Sequence, residues 1–292
     1  MLGAATIVFA LLRAVPGDPV EIMLGESASP ADVAATRRDL GLDGPPAAQY
    51  VTFLSRVARG DLGVSITYRA PVAAVIASRY GATLQLAGAA ALVAAAFALP
   101  LGLLAAARPH SLVDRLARLV SLLGACLPSF WLGPLLILVF AIELGWLPVS
   151  GRAGPESVIL PALTLGLGMA GILVRLTRAT MLAALREDWI RTARAKGTPE
   201  WRVFALHALR SALPPVVTVA GLQAGGLLAG AIITETIFAW PGLGRLVVQA
   251  IDARDYPLVQ GCVLAIAFTY LLMNTATDLL HRVLDPRLRD AA

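Results

Sequence analysis

Apolar residues gather into long runs along this chain, and polar residues separate the runs. A helix rises 1.5 Å per residue, so about 20 residues cross a hydrocarbon core of about 30 Å. Five runs without a charged residue come near or exceed that length, and they predict spans at about 80–107, 119–142, 157–176, 212–234 and 256–278. The charge-free runs are Tyr80–Ala107, Leu119–Ile142, Ser157–Val174, Ser211–Thr234 and Tyr256–Thr277.

A shorter apolar stretch, Met1–Leu12, reaches only about 18 Å as a helix. It could be the hydrophobic part of a signal peptide, but a basic leader and a small-residue cleavage site are missing. We prefer a first transmembrane helix, residues 1–13, whose beginning is absent. The expected fold is therefore all-α: a polytopic membrane protein with six transmembrane helices, the first one truncated.

Residues 14–79 have the composition of a soluble segment and predict a small cap. Pro16-Gly17-Asp18-Pro19 predicts a turn, because each proline disfavours helix at the residue before it. A helix is expected from Ser29-Pro30 through Asp39, and another over Tyr50–Arg59 before a turn at Gly60-Asp61-Leu62-Gly63.

A second polar stretch, residues 186–210, lies in mid-chain between two apolar runs and is called here the 186–210 hairpin. Its pattern predicts a helix ending at Gly197, with Thr198 as the N-cap and Pro199 as the first position of a second helix. Glu187 and Arg191 stand four apart and predict an ion pair. An apolar face is expected from Trp189, Ile190, Ala193, Trp201, Val203 and Phe204. Because short helices need packing to be stable, we expect a partner protein surface to order this face; the alternative is an amphipathic helix that lies flat on anionic lipid.

Charge orients the predicted bundle. The chain is 58% hydrophobic and 15% charged, with a mean hydropathy of +0.75. Connections 108–118, 175–210 and 281–292 hold fourteen Arg and Lys, whereas 143–156 and 235–255 hold three. Short positively charged loops stay in the cytoplasm, so the first set is expected inside and the cap outside. The net charge of +5 needs no nucleic-acid partner.

Candidate chemistry is sparse. Cys126 and Cys262 fall within predicted spans, where buried thiols are expected rather than a disulfide or a metal site. No metal-ligand cluster, nucleophile motif or phosphate loop is visible, so we expect no catalysis and no bound cofactor. Glu143, Glu235 and Asp278 lie at span ends, where carboxylates reach water. Polar residues inside spans mark interhelical hydrogen bonds or a water-filled path, and three are candidates for lining a path: Gln85, Gln223 and Asn274.

Glycine and proline are frequent in the predicted spans, which suits close helix packing or helices that bend between two states. No half of the sequence repeats the other. This argues against a secondary transporter built from duplicated halves.

The 186–210 hairpin carries a resemblance to a known family. The chain resembles the permease subunits of ATP-binding-cassette (ABC) importers, specifically the B-type subunit of dipeptide, oligopeptide and nickel systems. Their cytoplasmic loop has the consensus E-A-A-x-x-x-G, nine residues, then I-x-L-P. The matching positions are Arg191, Thr192, Ala193 and Gly197, then His207, Ala208, Leu209 and Arg210. Arg191 reverses the sign of the family's glutamate, and RTARAKG and HALR are typical of the peptide and nickel branch.

Further segments fit the same branch in order, among them Leu40-Gly41-Leu42-Asp43, Leu127-Pro128-Ser129-Phe130, Ala239-Trp240-Pro241-Gly242-Leu243-Gly244, Arg254-Asp255-Tyr256-Pro257 and Leu284-Asp285-Pro286-Arg287. The resemblance implies a type I importer fold in a bacterial inner membrane. It also implies that the hairpin couples to an ATPase through Arg191, Thr192, Ala193, Arg194, Lys196, Gly197, Trp201 and His207.

The implied partners are a C-type permease, two ATPase subunits that use ATP, an extracytoplasmic binding protein and membrane lipid. Di- or oligopeptides are the favoured cargo, and nickel, glutathione or another small solute is the alternative. A secondary transporter and a structural or signalling membrane protein are the rivals from other classes. The first would need charged groups near mid-membrane, and the second leaves the hairpin unexplained.

Overall fold

The computed structural model describes residues 2–14, 20, 29–39 and 44–284, and this part of the chain is almost entirely helical. Residues 15–19, 21–28, 40–43 and 285–292 lie outside the described residues, and with them the turn predicted at Pro16-Gly17-Asp18-Pro19 and most of the connection 281–292. The helices are α1 Leu2–Ala14, α2 Pro30–Asp39, α3 Pro46–Ala58, α4 Val72–Ala107, α5 Leu112–Cys126, α6 Ser129–Leu136, α7 Ile159–Ala184, α8 Asp188–Ala195, α9 Glu200–Arg202, α10 Leu209–Ile237, α11 Leu243–Asp252 and α12 Tyr256–Leu284.

Length and apolar composition make four of the described helices long enough to cross a membrane. They are Val72–Ala107, Pro155–Ala184, Glu200–Leu227 and Tyr256–Leu280, and a bent helix pair brings the number to five if it counts as one span. The predicted span 80–107 is part of a 36-residue helix that starts eight residues earlier, at Val72. Helix α12 continues to Leu284, into the predicted connection 281–292.

The predicted span 119–142 consists of two helices with a short break between them. Leu112–Gly124 and Ser129–Glu143 differ in direction by 106° at a short break. Pro128 is the cause, because proline keeps the residue before it out of the helical region. Leu127 accordingly has ψ 116°, and α6 starts directly after Pro128 before it continues as a π-helix, Ile137–Glu143.

The chain divides into two compact units, of which the first comprises residues 1–83 and 241–269. Its core joins α4, α11 and α12 through buried apolar side chains: Val72, Val75, Ile76, Leu243, Leu246, Val247, Ala250, Leu258 and Cys262. The Asp255 carboxylate is buried there and accepts hydrogen bonds from Ser65 Oγ at 2.5 Å, Thr67 N–H at 2.9 Å and Leu258 N–H at 3.1 Å. These bonds hold the turn around residue 65 against the start of α12.

The second unit comprises residues 84–240 and 270–292, and α5, α7 and α10 pack closely within it. Glycine makes this possible. A Cβ at Gly124 would lie 2.7 Å from the Leu167 carbonyl oxygen, and one at Gly102 would lie 2.6 Å from Thr177 Cβ. Such contacts are closer than real Cβ atoms allow, so these glycines serve helix packing.

Two predicted environments differ in the structure. Glu235 was expected to reach water, but its side chain is buried in the second unit. Cys126 was expected to be buried, but it is exposed at the end of α5, beside the break at Pro128; Cys262 is buried as expected. Both differences arise from the folding of the chain around each residue, which a linear apolar pattern does not encode.

Candidate functional site

The first helix of the 186–210 hairpin ends in a glycine turn. Gly197 has φ +77°, a left-handed conformation that favours glycine. Its N–H donates to the Arg194 carbonyl oxygen at 2.9 Å, and the Thr198 N–H donates to that of Ala193 at 3.2 Å. These two bonds form a Schellman motif, which satisfies carbonyl groups at the helix end.

The second helix starts one residue later than expected. Thr198 was predicted as its N-cap and Pro199 as its first position, but Pro199 is the N-cap and Glu200 is first. The reason is that the Thr198 backbone completes the Schellman motif of the preceding helix. From Glu200 the helix continues through a π-helix, Val203–Ala208, directly into α10. One arm of the hairpin is thus the beginning of a long apolar helix.

An ion pair that the sequence did not predict closes the turn. Arg194 Nε donates to Glu200 Oε1 at 2.7 Å, and Arg194 Nη2 donates to Oε2 at 3.2 Å. The hydrogen bond from Arg194 lowers the pKa of Glu200, and the same bond raises the pKa of Arg194. Both side chains are exposed, so the pair orients the turn and adds little stability.

The predicted pair between Glu187 and Arg191 is wrong. Glu187 is the N-cap of α8 with ψ 148°, outside the helix, so the four-residue helical spacing does not apply to it. Arg191 Nη1 instead lies 3.4 Å from Asp188 Oδ1.

The inner face of the hairpin packs on the chain itself. Ile190 and Val203 are fully buried, and they belong to one core cluster with Ala106, Met181, Ala184, Ala208 and Ala212; Ala193 and Phe204 pack against it. The expectation that the whole apolar face awaits a partner surface is corrected here. Because short helices need tertiary packing to be stable, this cluster orders the hairpin.

The outer face is aromatic and basic. Trp189 is 41% exposed and Trp201 is 62% exposed, with the Arg202 guanidinium 5.1 Å from the centre of the Trp201 ring. Of the residues predicted to contact an ATPase, Ala193 is half-buried, and the others are exposed: Arg191, Thr192, Arg194, Lys196, Gly197, Trp201 and His207. Exposed tryptophan beside arginine is the composition of protein-binding surfaces, whereas no side-chain set for catalysis is present among these residues.

A cleft between α7 and α10 contains one of the predicted path residues. It has a volume of about 490 Å³, and its lining is apolar except for Gln223: Leu165, Gly168, Met169, Val219, Leu222, Gln223, Gly226 and Leu227. Gln223 Nε2 is buried and has no hydrogen-bond partner within the described part of the chain. A buried amide donor without a partner is rare in folded proteins.

The other two predicted path residues lie outside this cleft. Gln85 Oε1 accepts hydrogen bonds from Arg152 Nε at 3.0 Å and Arg152 Nη2 at 2.7 Å, and the Arg152 guanidinium also lies 5.7 Å from the centre of the Trp240 ring. Asn274 Oδ1 is buried without a described partner and lies 3.3 Å from where a Cβ at Gly225 would be.

Sequence analysis missed a buried ion pair between Asp114 and Arg178. Asp114 is the one acidic residue in the basic connection 108–118, and this isolation was the available signal. In the structure its carboxylate is fully buried and bonded to the Arg178 guanidinium. Among the described residues, no group of three or more His, Cys, Asp or Glu could hold a metal ion.

Comparison with known proteins shows the family of the chain. Residues 98–290 match the family described as binding-protein-dependent transport system inner membrane component, and residues 1–87 match the N-terminal part of such components. The chain is 43% identical to the di/tripeptide transport system permease protein DppB of Pseudomonas aeruginosa (strain UCBPP-PA14), over 98% of this chain and 94% of that protein. It is 42% identical to the glutathione transport system permease protein GsiC of Escherichia coli O6:H1, over 98% and 93%.

A solved structure shares the fold. The MetNI methionine ABC transporter, in inward-facing conformations, matches with a TM-score of 0.60 and 19% identity over 72% of this chain and 96% of that chain. The fold is that of a type I importer permease, and the protein is a multi-pass protein of the bacterial inner membrane. The chain belongs to the family of binding-protein-dependent transport system inner membrane components, the permease subunits of ABC importers.

Proposed function

We propose that this chain forms half of the translocation path of an ATP-driven importer of di- and oligopeptides. The observation that carries the proposal is the two-sided 186–210 hairpin. Its inner face is fixed to the ends of α4, α7 and α10, and its outer face exposes Trp189, Trp201 and basic side chains. A rigid attachment to the membrane helices on one side and a binding surface on the other suit a part that transmits force.

The partner of the outer face is an ATPase subunit. ATP closes two such subunits, their clefts move the docked hairpins, and the attached helices open the path outward. An extracytoplasmic binding protein shifts the equilibrium by preferring that state. ATP hydrolysis belongs to the ATPase chains, and this chain binds no cofactor. One chain is too small to enclose a peptide, so a C-type permease supplies the other half, within membrane lipid.

Peptide is the cargo that the observations favour. One relative transports di/tripeptides by its name, and another transports glutathione, one of the alternative cargoes. The cleft between α7 and α10 is apolar except for Gln223, and apolar walls tolerate varied side chains. Gln223 Nε2 is buried without a described partner, so a turn of the side chain toward the cleft would let it bond a peptide carbonyl. Gln85 and Asn274 remain predictions as path residues. Nickel or another small solute on the same architecture is the alternative.

Docking is tested by replacing an exposed tryptophan of the hairpin. Trp201→Ala removes aromatic area from the centre of the proposed interface, and hot-spot tryptophans cost about 2 kcal/mol or more when truncated. We expect the amount of ATPase that co-purifies with the variant to be lower than with the wild type by roughly tenfold or more. Trp146→Ala is the matched control, because Trp146 is similarly exposed at 69% but lies in the connection predicted to be outside. Equal ATPase recovery from both variants would contradict docking through the hairpin.

Cargo and energy source are tested together in proteoliposomes that contain the full complex and the binding protein. We expect uptake of labelled dipeptide and tripeptide to require ATP on the side of the membrane where the ATPase subunits lie. Uptake that persists without ATP would favour a secondary transporter. Uptake of nickel–chelate in place of peptide would support the alternative cargo.

Gln223→Leu keeps the side-chain volume but removes the amide donor. We expect this variant to take up less peptide than the wild type, while the amount of ATPase that co-purifies with it stays the same.

A further inference from the structure

A buried ion pair joins α5 to α7 near the end of α7 that leads into the 186–210 hairpin. Arg178 Nε lies 2.5 Å from Asp114 Oδ1, and Arg178 Nη2 lies 3.0 Å from Oδ2. The Asp114 side chain is 0% exposed and that of Arg178 is 22% exposed. Two parallel bonds between a guanidinium and a carboxylate fix both distance and orientation, which a single contact does not.

The buried carboxylate has further donors. The His110 backbone N–H donates to Asp114 Oδ2 at 3.0 Å, and Arg118 Nη2 lies 3.4 Å from the same oxygen. Ser111 is the N-cap of α5, and its Oγ accepts a hydrogen bond from the Asp114 N–H. A buried charge is tolerated only with such compensation, and it contributes little net stability relative to neutral residues of the same shape. Its role must therefore be sought in what it positions.

Other contacts join the second half of α5 to the middle of α7. Ser121 Oγ donates to the Gly171 carbonyl oxygen, and Gly124 lets the helices approach until a Cβ would be 2.7 Å from the Leu167 carbonyl oxygen. The Asp114–Arg178 pair instead holds the first turn of α5, within the basic connection 108–118, against α7.

Arg178 also lies close in sequence to the hairpin. Helix α7 ends at Ala184, and Glu187 is already the N-cap of α8. The Arg186 and Glu187 N–H groups bond back to the carbonyl oxygens of Ala183 and Ala184, at 3.0 Å and 3.2 Å. No flexible linker intervenes, so a displacement of the hairpin reaches Arg178 through continuous hydrogen-bonded backbone.

We propose that Asp114 and Arg178 are positioning residues that pass the hairpin's movement from α7 to α5, so that both helices move as one body during transport. This inference rests on the proposed function of the hairpin. Apolar packing permits one helix to slide on another, whereas the two-bond fork has a single favourable arrangement. Without the fork, the ATPase subunits would still move α7, but α5 would follow incompletely and ATP would be used without transport.

The test uses the complete transporter with its partner permease, ATPases and binding protein in proteoliposomes, and it measures dipeptides imported per ATP hydrolysed. The double variant Asp114→Asn with Arg178→Gln removes both charges. Asparagine keeps the shape of aspartate, whereas glutamine is shorter than arginine and keeps only an amide group for hydrogen bonding. We expect normal assembly and ATPase activity but roughly fivefold fewer dipeptides per ATP, the lower end of measured coupling effects. Arg178→Lys keeps the charge and loses the fork, and it should give an intermediate ratio.

Arg115→Gln is the matched control, because it removes one positive charge from the exposed side of the same helix and leaves Asp114 untouched. It should keep the wild-type ratio. A wild-type number of dipeptides per ATP in the double variant would overturn the proposal. If the double variant does not assemble, a wild-type number in Arg178→Lys would overturn it. Absence of ATP-dependent dipeptide uptake by the wild type would instead refute the proposed function, and the inference with it.

Discussion

Gly197 is the residue on which the geometry of the hairpin depends. Its φ of +77° places it in the left-handed region, while a Cβ there would meet no atom within 4 Å. The requirement for glycine is therefore a property of the backbone and not of crowding. This distinguishes Gly197 from the glycines of the helix interfaces, where a neighbouring chain segment leaves no room.

Replacing Gly197 should reveal that backbone requirement. Gly197→Ala is expected to destabilise the hairpin by about 1 kcal/mol, because left-handed geometry costs an L-residue about 1–2 kcal/mol. Gly197→Asn should cost less, since asparagine adopts this conformation more readily. Amide hydrogen exchange over residues 188–203 measures the effect. Identical exchange in the alanine and asparagine variants would show that φ at this position is not limiting.

At the scale of elements, contacts between helices depend on small residues at particular positions. Gly124 in α5 faces backbone atoms of α7, with the Leu167 carbonyl oxygen at 2.7 Å and Gly171 Cα at 3.3 Å from a Cβ built there. Backbone atoms cannot rotate away as a flexible side chain can. Gly88 in α4 is also helical, but a Cβ built there would meet no atom of a neighbouring segment within 4 Å.

These two glycines form a matched pair for a packing experiment. Gly124→Ala should destabilise the protein by about 1–3 kcal/mol, because overpacking forces the helices apart. Gly88→Ala should be neutral or stabilising, since alanine favours helix over glycine. Thermal unfolding of the purified protein in detergent compares them. The reverse order of stability would contradict the close approach of α5 and α7.

At the scale of the whole molecule, charge distribution predicts which connections face the cytoplasm. Connections 108–118, 175–210 and 281–292 carry fourteen of the Arg and Lys residues, and this asymmetry orients membrane proteins. The proposed function depends on that orientation, because the ATPase subunits are cytoplasmic and the binding protein is not.

Sided labelling tests the orientation directly. Cys126 is exposed and must first be replaced by serine, whereas Cys262 is buried. Lys196→Cys should then react with a membrane-impermeant maleimide only in inverted membrane vesicles, and Ala153→Cys only in intact cells stripped of the outer membrane. Reaction of Lys196→Cys from the outside would refute both the orientation and the coupling role of the hairpin.

The class of the protein and its principal helices could be predicted from the order of its residues. Long charge-free runs predict membrane helices because lipid leaves no other way to satisfy the backbone, and α4, α7, α10 and α12 follow these runs. The helix end at Gly197 was also predictable, because a glycine turn is a local property of a few residues. The start of the second helix was less predictable, because the Thr198 N–H completes the Schellman motif of the preceding helix and Pro199 becomes the N-cap.

Tertiary structure alone decided what each side chain contacts. The sequence could not show that Ile190 is buried on the chain's own helices while Trp201 is exposed, nor that Glu235 is buried. The ion pair between Asp114 and Arg178, sixty-four positions apart, could not be predicted from the sequence. Nor could the sequence show that Gln223 Nε2 is buried without a described hydrogen-bond partner. Apolar periodicity and charge are summed along the chain, whereas burial and pairing depend on which distant segments the fold brings together.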